Sequence, residues 1–163
     1  YLFPGAVLLV PTFLIVKRLG IYDNLLSLVL VYVTTTAPFA TILMRSFFDS
    51  LPRSLEEAAM VDGATRLQAV RHILVPLSTP GLASVGMHTL VTCWSEYTFA
   101  MMFIVSDHKK TLPVGISRWI AQQFTDWGVL NAGAVLSMIP LLLLFVFLGK
   151  RFVEGLVAGA TKY

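Results

Sequence analysis

Long uncharged apolar runs dominate the chain and are separated by short polar segments. The run 24–44 has 21 residues without Asp, Glu, Lys or Arg, and the run 127–149 has 23. A third run, 80–105, is interrupted only by His88 and Glu96. A transmembrane helix needs about 20 apolar residues, and continuous runs indicate helices, whereas barrel strands alternate. Each run therefore predicts a membrane-spanning helix.

The predicted fold class is all-α, a polytopic transmembrane helix bundle forming part of one domain. The apolar segment at the start is too short to cross a bilayer and is interpreted as the end of a truncated helix. The chain is therefore expected to be the C-terminal part of a longer protein, with four helices present. The predicted order is a helix end at 1–18, a helix at 24–48, a loop at 49–76, a helix at 79–105, a loop at 106–126, a helix at 127–149 and a tail at 150–163.

Composition points to the same class. Apolar residues make up 56% of the chain and charged residues 13%, compared with about 25% charged residues in a typical soluble domain. The net charge of +3 is too small to indicate nucleic-acid binding. Cys93 is the only cysteine, and His72 and His108 have no partner at metal-ligand spacing. We expect neither a metal site nor a catalytic residue.

The basic residues indicate the orientation of the loops. If each apolar run crosses once, the polar connections 45–76 and 106–126 lie on opposite sides. The first connection and the tail hold seven Lys or Arg residues, and the other side holds five. Basic residues are retained in the cytoplasm, so the loop at 49–76 and the tail are predicted to be cytoplasmic.

The cytoplasmic loop has the local signals of two short helices. Ser54 and Glu57 have the spacing of a capping box, as do Thr65 and Gln68. Gly63 between them is typical of the residue that ends a helix in the left-handed conformation. We expect a helix from Leu55 to about Asp62, a glycine turn, and a second helix that Pro76 ends after about Val75. Composition alone is equally consistent with two interfacial helices that pack under the bundle.

The spacing within this loop is more specific. Glu57-Ala58-Ala59, three residues, Gly63, nine residues and Ile73-Leu74-Val75-Pro76 resemble the EAA motif of ABC-importer permeases, with Val75 in place of the usual Leu.

Further segments resemble the carbohydrate-type permeases related to the maltose-system membrane subunits. Two departures are Ser95, where the family usually has Asn, and Tyr163, where it ends in Gly. The segments are Phe47-Phe48-Asp49-Ser50-Leu51-Pro52, Trp94-Ser95-Glu96-Tyr97, Thr111-Leu112-Pro113-Val114-Gly115, Asp126-Trp127-Gly128 and Gly155-Leu156-Val157-Ala158-Gly159-Ala160-Thr161-Lys162.

The resemblance implies a multi-pass subunit of a bacterial or archaeal cytoplasmic (inner) membrane. It implies six helices, a second permease subunit, two ATPase subunits, an extracytoplasmic substrate-binding protein and a sugar substrate, with polyols or glycerol-phosphate diesters left open. ATP and Mg²⁺ would be bound by the ATPase subunits, so this chain would bind no cofactor and would not be an enzyme.

In this family the EAA loop contacts the ATPase subunits. A short capped helix transmits motion better than a flexible loop, small alanines permit close approach, and Glu57 offers a charged contact. The residues predicted to couple this chain to the ATPase are Ser54, Glu56, Glu57, Ala58, Ala59, Asp62 and Gly63.

Glu96 is the only acid inside an apolar run and would be costly to bury without a partner. It is a candidate for the translocation pathway, with Trp94 and Tyr97 as companions that would stack on a sugar. The alternative is a structural hydrogen bond to a neighbouring helix. A rival function is a proton-coupled secondary transporter that uses Glu96 and His88, and a weaker rival is a membrane scaffold without transport.

Two further segments have predicted docking roles. Residues 116–124 have the pattern of an amphipathic external helix, whose default role is to lie at the membrane interface. In the family this side would face the binding protein, so docking is the alternative. The residues of the tail are small and apolar, which differs from the polar composition of a free tail. We expect it to insert into the ATPase surface, with Gly155 and Gly159 allowing close backbone approach. The alternative is that the tail folds back under the bundle.

Overall fold

The computed structural model describes residues 5–120 and 126–160. Every regular element assigned within these ranges is a helix. This confirms the all-α prediction. The α-helices are α1 Gly5–Arg18, α2 Leu25–Ser50, α3 Ser54–Val61, α4 Arg66–Ala69, α5 Val75–Leu77, α6 Thr79–Trp94, α7 Thr98–Phe103, α8 Leu112–Ser117 and α9 Trp127–Ala160; a π-helical turn, Val70–Leu74, joins α4 to α5, and a 3₁₀ turn covers Asp107–Lys109.

Two helical segments, Leu25–Ser50 and Trp127–Phe147, are long and apolar enough to cross a membrane. A third span results if the bent pair Arg66–Leu77 and Thr79–Trp94 is counted as one. Within the described residues, these segments therefore have the length and composition of membrane-spanning helices.

The predicted single helix at 79–105 is wrong, because α6 ends at Trp94 and α7 starts at Thr98. The carboxylate of Glu96 accepts hydrogen bonds from the amides of Phe99 (2.8 Å) and Ala100 (3.1 Å). It thus satisfies amide groups at the start of a new helix. The charged residue interrupts the apolar run because it caps α7.

The chain forms two compact units, and the first comprises residues 1–38 and 91–143. Its core consists of Val16, Leu28, Val31, Phe99, Ala100, Phe103, Ile104 and Val114. On α9, Gly133 permits close packing, since a Cβ there would lie 3.3 Å from a side-chain carbon of Ile116.

Asp23 closes one end of this unit. Its carboxylate accepts hydrogen bonds from the amides of Val105 and Ser106, both at 2.9 Å, and from the Ser106 hydroxyl. Lys109 Nζ donates to the Asp23 carbonyl at 2.6 Å. The bonds from Ser106 and Val105 hold the pKa of Asp23 well below its ordinary value. The turn after α1 is thereby tied to the loop after α7.

The second unit comprises residues 39–90 and 144–163. It contains the end of α2, the polar connection and most of α6. Phe47 near the end of α2 is buried against Gly81 near the start of α6, where a Cβ would lie only 2.8 Å from the Phe47 ring. The two ends of the polar connection therefore lie next to the closely packed contact between α2 and α6.

Candidate functional site

The loop predicted to be cytoplasmic forms a helical hairpin over residues 54–69, called the coupling hairpin after its predicted role. Gly63 has a φ of 88° and turns the chain between α3 and α4. The Gly63 amide donates to the Met60 carbonyl (3.1 Å), and the Ala64 amide donates to the Ala59 carbonyl (3.0 Å). This pair of bonds is the Schellman arrangement that ends a helix at a glycine. The glycine turn predicted from the sequence is confirmed.

The start of α3 differs from the prediction. Ser54 is the first residue of the helix, and Arg53 occupies the cap position with helical φ and ψ and no side-chain cap. The Leu55 amide already donates to the Pro52 carbonyl, and the Glu56 and Glu57 amides donate to the Arg53 carbonyl. The Ser54–Glu57 capping box is therefore wrong, because backbone carbonyls satisfy these amides.

The start of α4 agrees with its prediction. The Gln68 amide donates to Thr65 Oγ1, and the Thr65 amide donates to Gln68 Oε1 at 2.8 Å. Both halves of the capping box are present. The α-helix that follows is shorter than predicted, because the chain passes into the π-helical turn after Ala69. Pro76 was predicted to end this helix but lies within α5.

An ion pair across the coupling hairpin was not predicted from the sequence. Arg66 Nε lies 2.9 Å from Glu56 Oε1, and the Glu56 side chain is 25% exposed, compared with 82% for Arg66. Ten residues separate the two in sequence, so no helical spacing signals the contact. Glu56 therefore helps to hold α3 against α4.

The coupling hairpin presents a mixed surface. Glu57, Ala58 and Asp62 are exposed. Val61 is 87% exposed and Leu67 is 77% exposed, so apolar side chains project beside the acids. Ala59 is buried, and its predicted role in close approach to a partner stays a prediction. Val61 and Leu67 were not among the predicted coupling residues, because apolar side chains in a short helix indicate packing unless their exposure is known.

The predicted pathway residues have partners within the first unit. Tyr32 Oη donates to Glu96 Oε2 at 2.9 Å, in addition to the two amides of α7. Trp94 Nε1 donates to the Ser137 carbonyl at 3.0 Å, while Tyr97 is partly exposed. These contacts are of the structural kind considered as the alternative for Glu96. Its pathway role stays a prediction.

His88 lies on α6, which ends before Glu96 begins the next segment. Its ring stacks on Phe39 with ring centroids 3.9 Å apart. Among the described residues, His88 Nδ1 has no hydrogen-bond partner. The two residues that the rival secondary-transporter reading would use therefore do not share a helix.

The tail and the external helix also differ from prediction. Helix α9 continues through Gly155 and Gly159 to Ala160, because the preceding turns template further helix and no proline intervenes. Of the predicted external helix at 116–124, Ile116 and Ser117 lie at the end of α8, which starts at Leu112 because Pro113 favours the first turn of a helix, and residues 118–120 form a turn. Residues 121–124 of that prediction lie outside the described part of the chain.

Curated relatives match nearly the whole chain. It is 39% identical to the inner membrane ABC transporter permease protein YcjP of Escherichia coli, over 99% of this chain and 58% of that protein. It is 38% identical to the sulfoquinovosyl glycerol transport system permease protein SmoH of Agrobacterium fabrum, over 98% of this chain and 56% of SmoH. The trehalose/maltose transport system permease protein MalG of Thermococcus litoralis is 35% identical, over 99% and 58%. The chain thus spans somewhat more than half the length of these relatives.

A solved structure shares the fold. It is the crystal structure of a bacterial ABC transporter involved in the import of the acidic polysaccharide alginate. The TM-score is 0.72 at 28% identity, and the match covers 88% of this chain and 55% of that one. Residues 2–161 match the family described as the binding-protein-dependent transport system inner membrane component, and the chain belongs to that family.

Proposed function

We propose that the complete protein is a permease subunit of an ATP-driven, binding-protein-dependent ABC importer for a sugar or oligosaccharide. The observation that carries this proposal is the coupling hairpin. The EAA-like residues form a short rigid element with an exposed acid and exposed apolar side chains, instead of packing wholly within the chain. The sugar-transport names of SmoH and MalG support the substrate class.

The proposed contact with the ATPase subunits follows from the exposed surface. Val61 and Leu67 expose apolar area that a partner groove would bury. Glu57 lies in the first turn of α3 and is exposed, so its carboxylate is available to a basic partner group. Glu56 has a different role, because Arg66 already engages it.

The proposed coupling depends on the rigidity of the hairpin. The Gly63 turn, the Thr65 capping box and the Glu56–Arg66 ion pair fix α3 relative to α4. When the two ATPase subunits close, a rigid hairpin held in their surface moves as one body and favours one of two permease states. A second permease subunit would complete the translocation pathway, and an external binding protein would deliver the sugar.

Transport by reconstituted proteoliposomes tests the proposal and separates it from its rivals. The complete permease, its partner permease and the ATPase subunits are reconstituted with the binding protein and radiolabelled sugar. We expect uptake that requires both ATP and the binding protein. Uptake driven by a proton gradient without ATP would identify a secondary transporter, and the absence of uptake of any sugar tested would favour a scaffold.

A further inference from the structure

The segment that leads from the coupling hairpin into the membrane is sharply bent. The arm, defined here as residues 66–77, meets α6 at an angle of 67°. The bend lies at Ser78, between α5 and α6, where the backbone ψ is 3° and so departs from the helical value. Ser78 is the residue of backbone that joins the arm to α6.

Two prolines account for the irregular backbone. Pro80 has no amide to donate to the Pro76 carbonyl, and its ring displaces that carbonyl, so a straight helix is impossible there. Pro76 likewise has no amide for the His72 carbonyl. In the turn before it, the Val75 amide donates to Val70, five residues back, as in a π-helix.

Two hydroxyl groups at the bend add hydrogen bonds to carbonyls that also accept from backbone amides. Ser78 Oγ donates to the Leu74 carbonyl at 2.6 Å, and Thr79 Oγ1 donates to the Pro76 carbonyl at 2.6 Å. Ser78 is fully buried, and its own carbonyl accepts from the Leu82 amide at 2.9 Å. The Thr79 hydroxyl thus adds a side-chain donor to the Pro76 carbonyl, which cannot accept from Pro80. Together these bonds join the last turn of the arm to the first turn of α6.

The two sides of the bend are held differently. On the α6 side, Gly81 is packed directly against the buried Phe47 ring. On the arm side, Val70 and Leu74 line an open cleft of about 590 Å³, together with Phe48, Leu51, Pro52 and Arg53. Because Gly81 is packed against Phe47 and the cleft leaves space beside the arm, the hydrogen bonds at Ser78 and Thr79, from their hydroxyls and from backbone amides, are the described contacts that link the arm to α6.

We propose that Ser78 and Thr79 are positioning residues for transport: their hydroxyls fix the angle at which the arm presents the coupling hairpin to the ATPase. This inference rests on the proposed function and adds the element that converts hairpin motion into helix motion. With the bonds in place, arm and helix move together. Without them, the arm swings within the cleft and ATP hydrolysis is no longer matched by transport.

The test compares Ser78→Ala with Ser84→Ala in the complete transporter. Ser84 is an apt control because it is also fully buried, lies on the same helix and donates to a carbonyl four residues back, but lies beyond the bend. Spin labels at Leu67→Cys and Leu82→Cys, both exposed positions, report the arm-to-helix distance in a Cys93→Ser background. Uptake per ATP hydrolysed is measured in proteoliposomes with the unlabelled variants that retain Leu67, because Leu67 belongs to the proposed ATPase contact.

We expect Ser78→Ala to broaden the distance distribution and to lower uptake per ATP about three- to fivefold, the effect of one lost buried hydrogen bond. Ser84→Ala should leave both close to wild type. If Ser78→Ala fails to assemble, Thr79→Ala removes the other bond at an exposed site and should broaden the distribution in the same way.

Identical distance distributions for Ser78→Ala and Ser84→Ala would overturn the inference. If Ser78→Ala does not assemble, an unchanged distribution in an assembled Thr79→Ala variant would overturn it instead. The distance measurement needs no transport. Absence of ATP-driven uptake by the wild type would therefore contradict the proposed function while leaving the hydroxyl-held bend open to its own test.

Discussion

Individual residues in this chain act chiefly on the direction of the backbone. Gly63 permits a positive φ, Glu96 caps a new helix inside an apolar run, and Asp23 ties one loop to another. In each case the effect of a substitution follows from backbone geometry or hydrogen bonding. Two predictions belong at this scale.

Replacing Gly63 by Val should impair coupled transport. No atom lies within 4 Å of the position a Cβ would occupy, so the cost comes from the φ of 88°, which a β-branched residue resists. Gly20→Val is the matched control, since Gly20 also has a positive φ of 69° and open space. We expect Gly63→Val to lower uptake per ATP, whereas Gly20→Val affects stability alone. Equal uptake per ATP in both variants, at comparable expression, contradicts the role of the Gly63 turn.

The Asp23 contacts should make stability depend on pH in the acid range. Because the folded pKa lies below the unfolded one, the carboxylate stabilises the protein fully above its ordinary pKa of about 4. This stabilisation is lost as the pH falls further toward the folded pKa. The difference in melting temperature between wild type and Asp23→Asn should therefore stay constant from pH 7 to pH 5 and shrink below about pH 4. A difference that is unchanged at pH 3 would show that the carboxylate charge is not stabilising.

At the scale of helices, the sequence predicted those features that depend on nearby residues. The Gly63 turn and the Thr65–Gln68 capping box each need residues only a few positions apart, and both are present. The Ser54 capping box failed because Pro52 and Arg53 already supply helical carbonyls. The break after Trp94 was missed because Glu96 was interpreted as a charge within a span, although its carboxylate serves the amides of α7.

The packing of α2 against α6 predicts the cost of one methyl group. Gly81→Ala would place a Cβ 2.8 Å from the ring of Phe47, which is buried and has little room to move. We expect this substitution to destabilise the protein by about 1–3 kcal/mol. Gly86→Ala on the same helix meets no atom within 4 Å and should be neutral or stabilising.

Thermal unfolding in detergent measures these differences. The double variant Gly81→Ala with Phe47→Leu should recover part of the loss, because the smaller side chain relieves the clash. A Gly81→Ala variant as stable as Gly86→Ala would mean that the two helices separate readily at this point.

At the scale of the whole molecule, the fold class and the family could be predicted from the sequence. The long-range contacts could not. The continuous apolar runs indicated helices, and the EAA spacing indicated the permease family that the comparisons confirm. The Glu56–Arg66 ion pair and the link between Tyr32 and Glu96 join residues distant in sequence. No periodic pattern encodes such contacts, so they emerge only with the three-dimensional fold.

The end of the chain is predicted to contact the ATPase pair. The structure makes residues 150–160 a continuation of α9, so we expect a helical segment to dock there. Deleting residues 155–163 should lower ATP-coupled uptake without preventing membrane insertion. Crosslinking from Ala158→Cys, in a Cys93→Ser background, should capture an ATPase subunit. Crosslinks confined to the permease subunits would contradict docking even if uptake fell.

The most direct test of the central claim is photo-crosslinking from the coupling hairpin in the assembled transporter. A photoreactive maleimide is attached at Val61→Cys, the 87% exposed position on α3, in a Cys93→Ser background. Leu19→Cys, 61% exposed in the turn after α1, serves as the control. We predict that the label at position 61 crosslinks to an ATPase subunit, with a yield that changes on ATP addition, and that the label at position 19 does not. Crosslinks from position 61 to lipid or permease subunits alone would contradict the account.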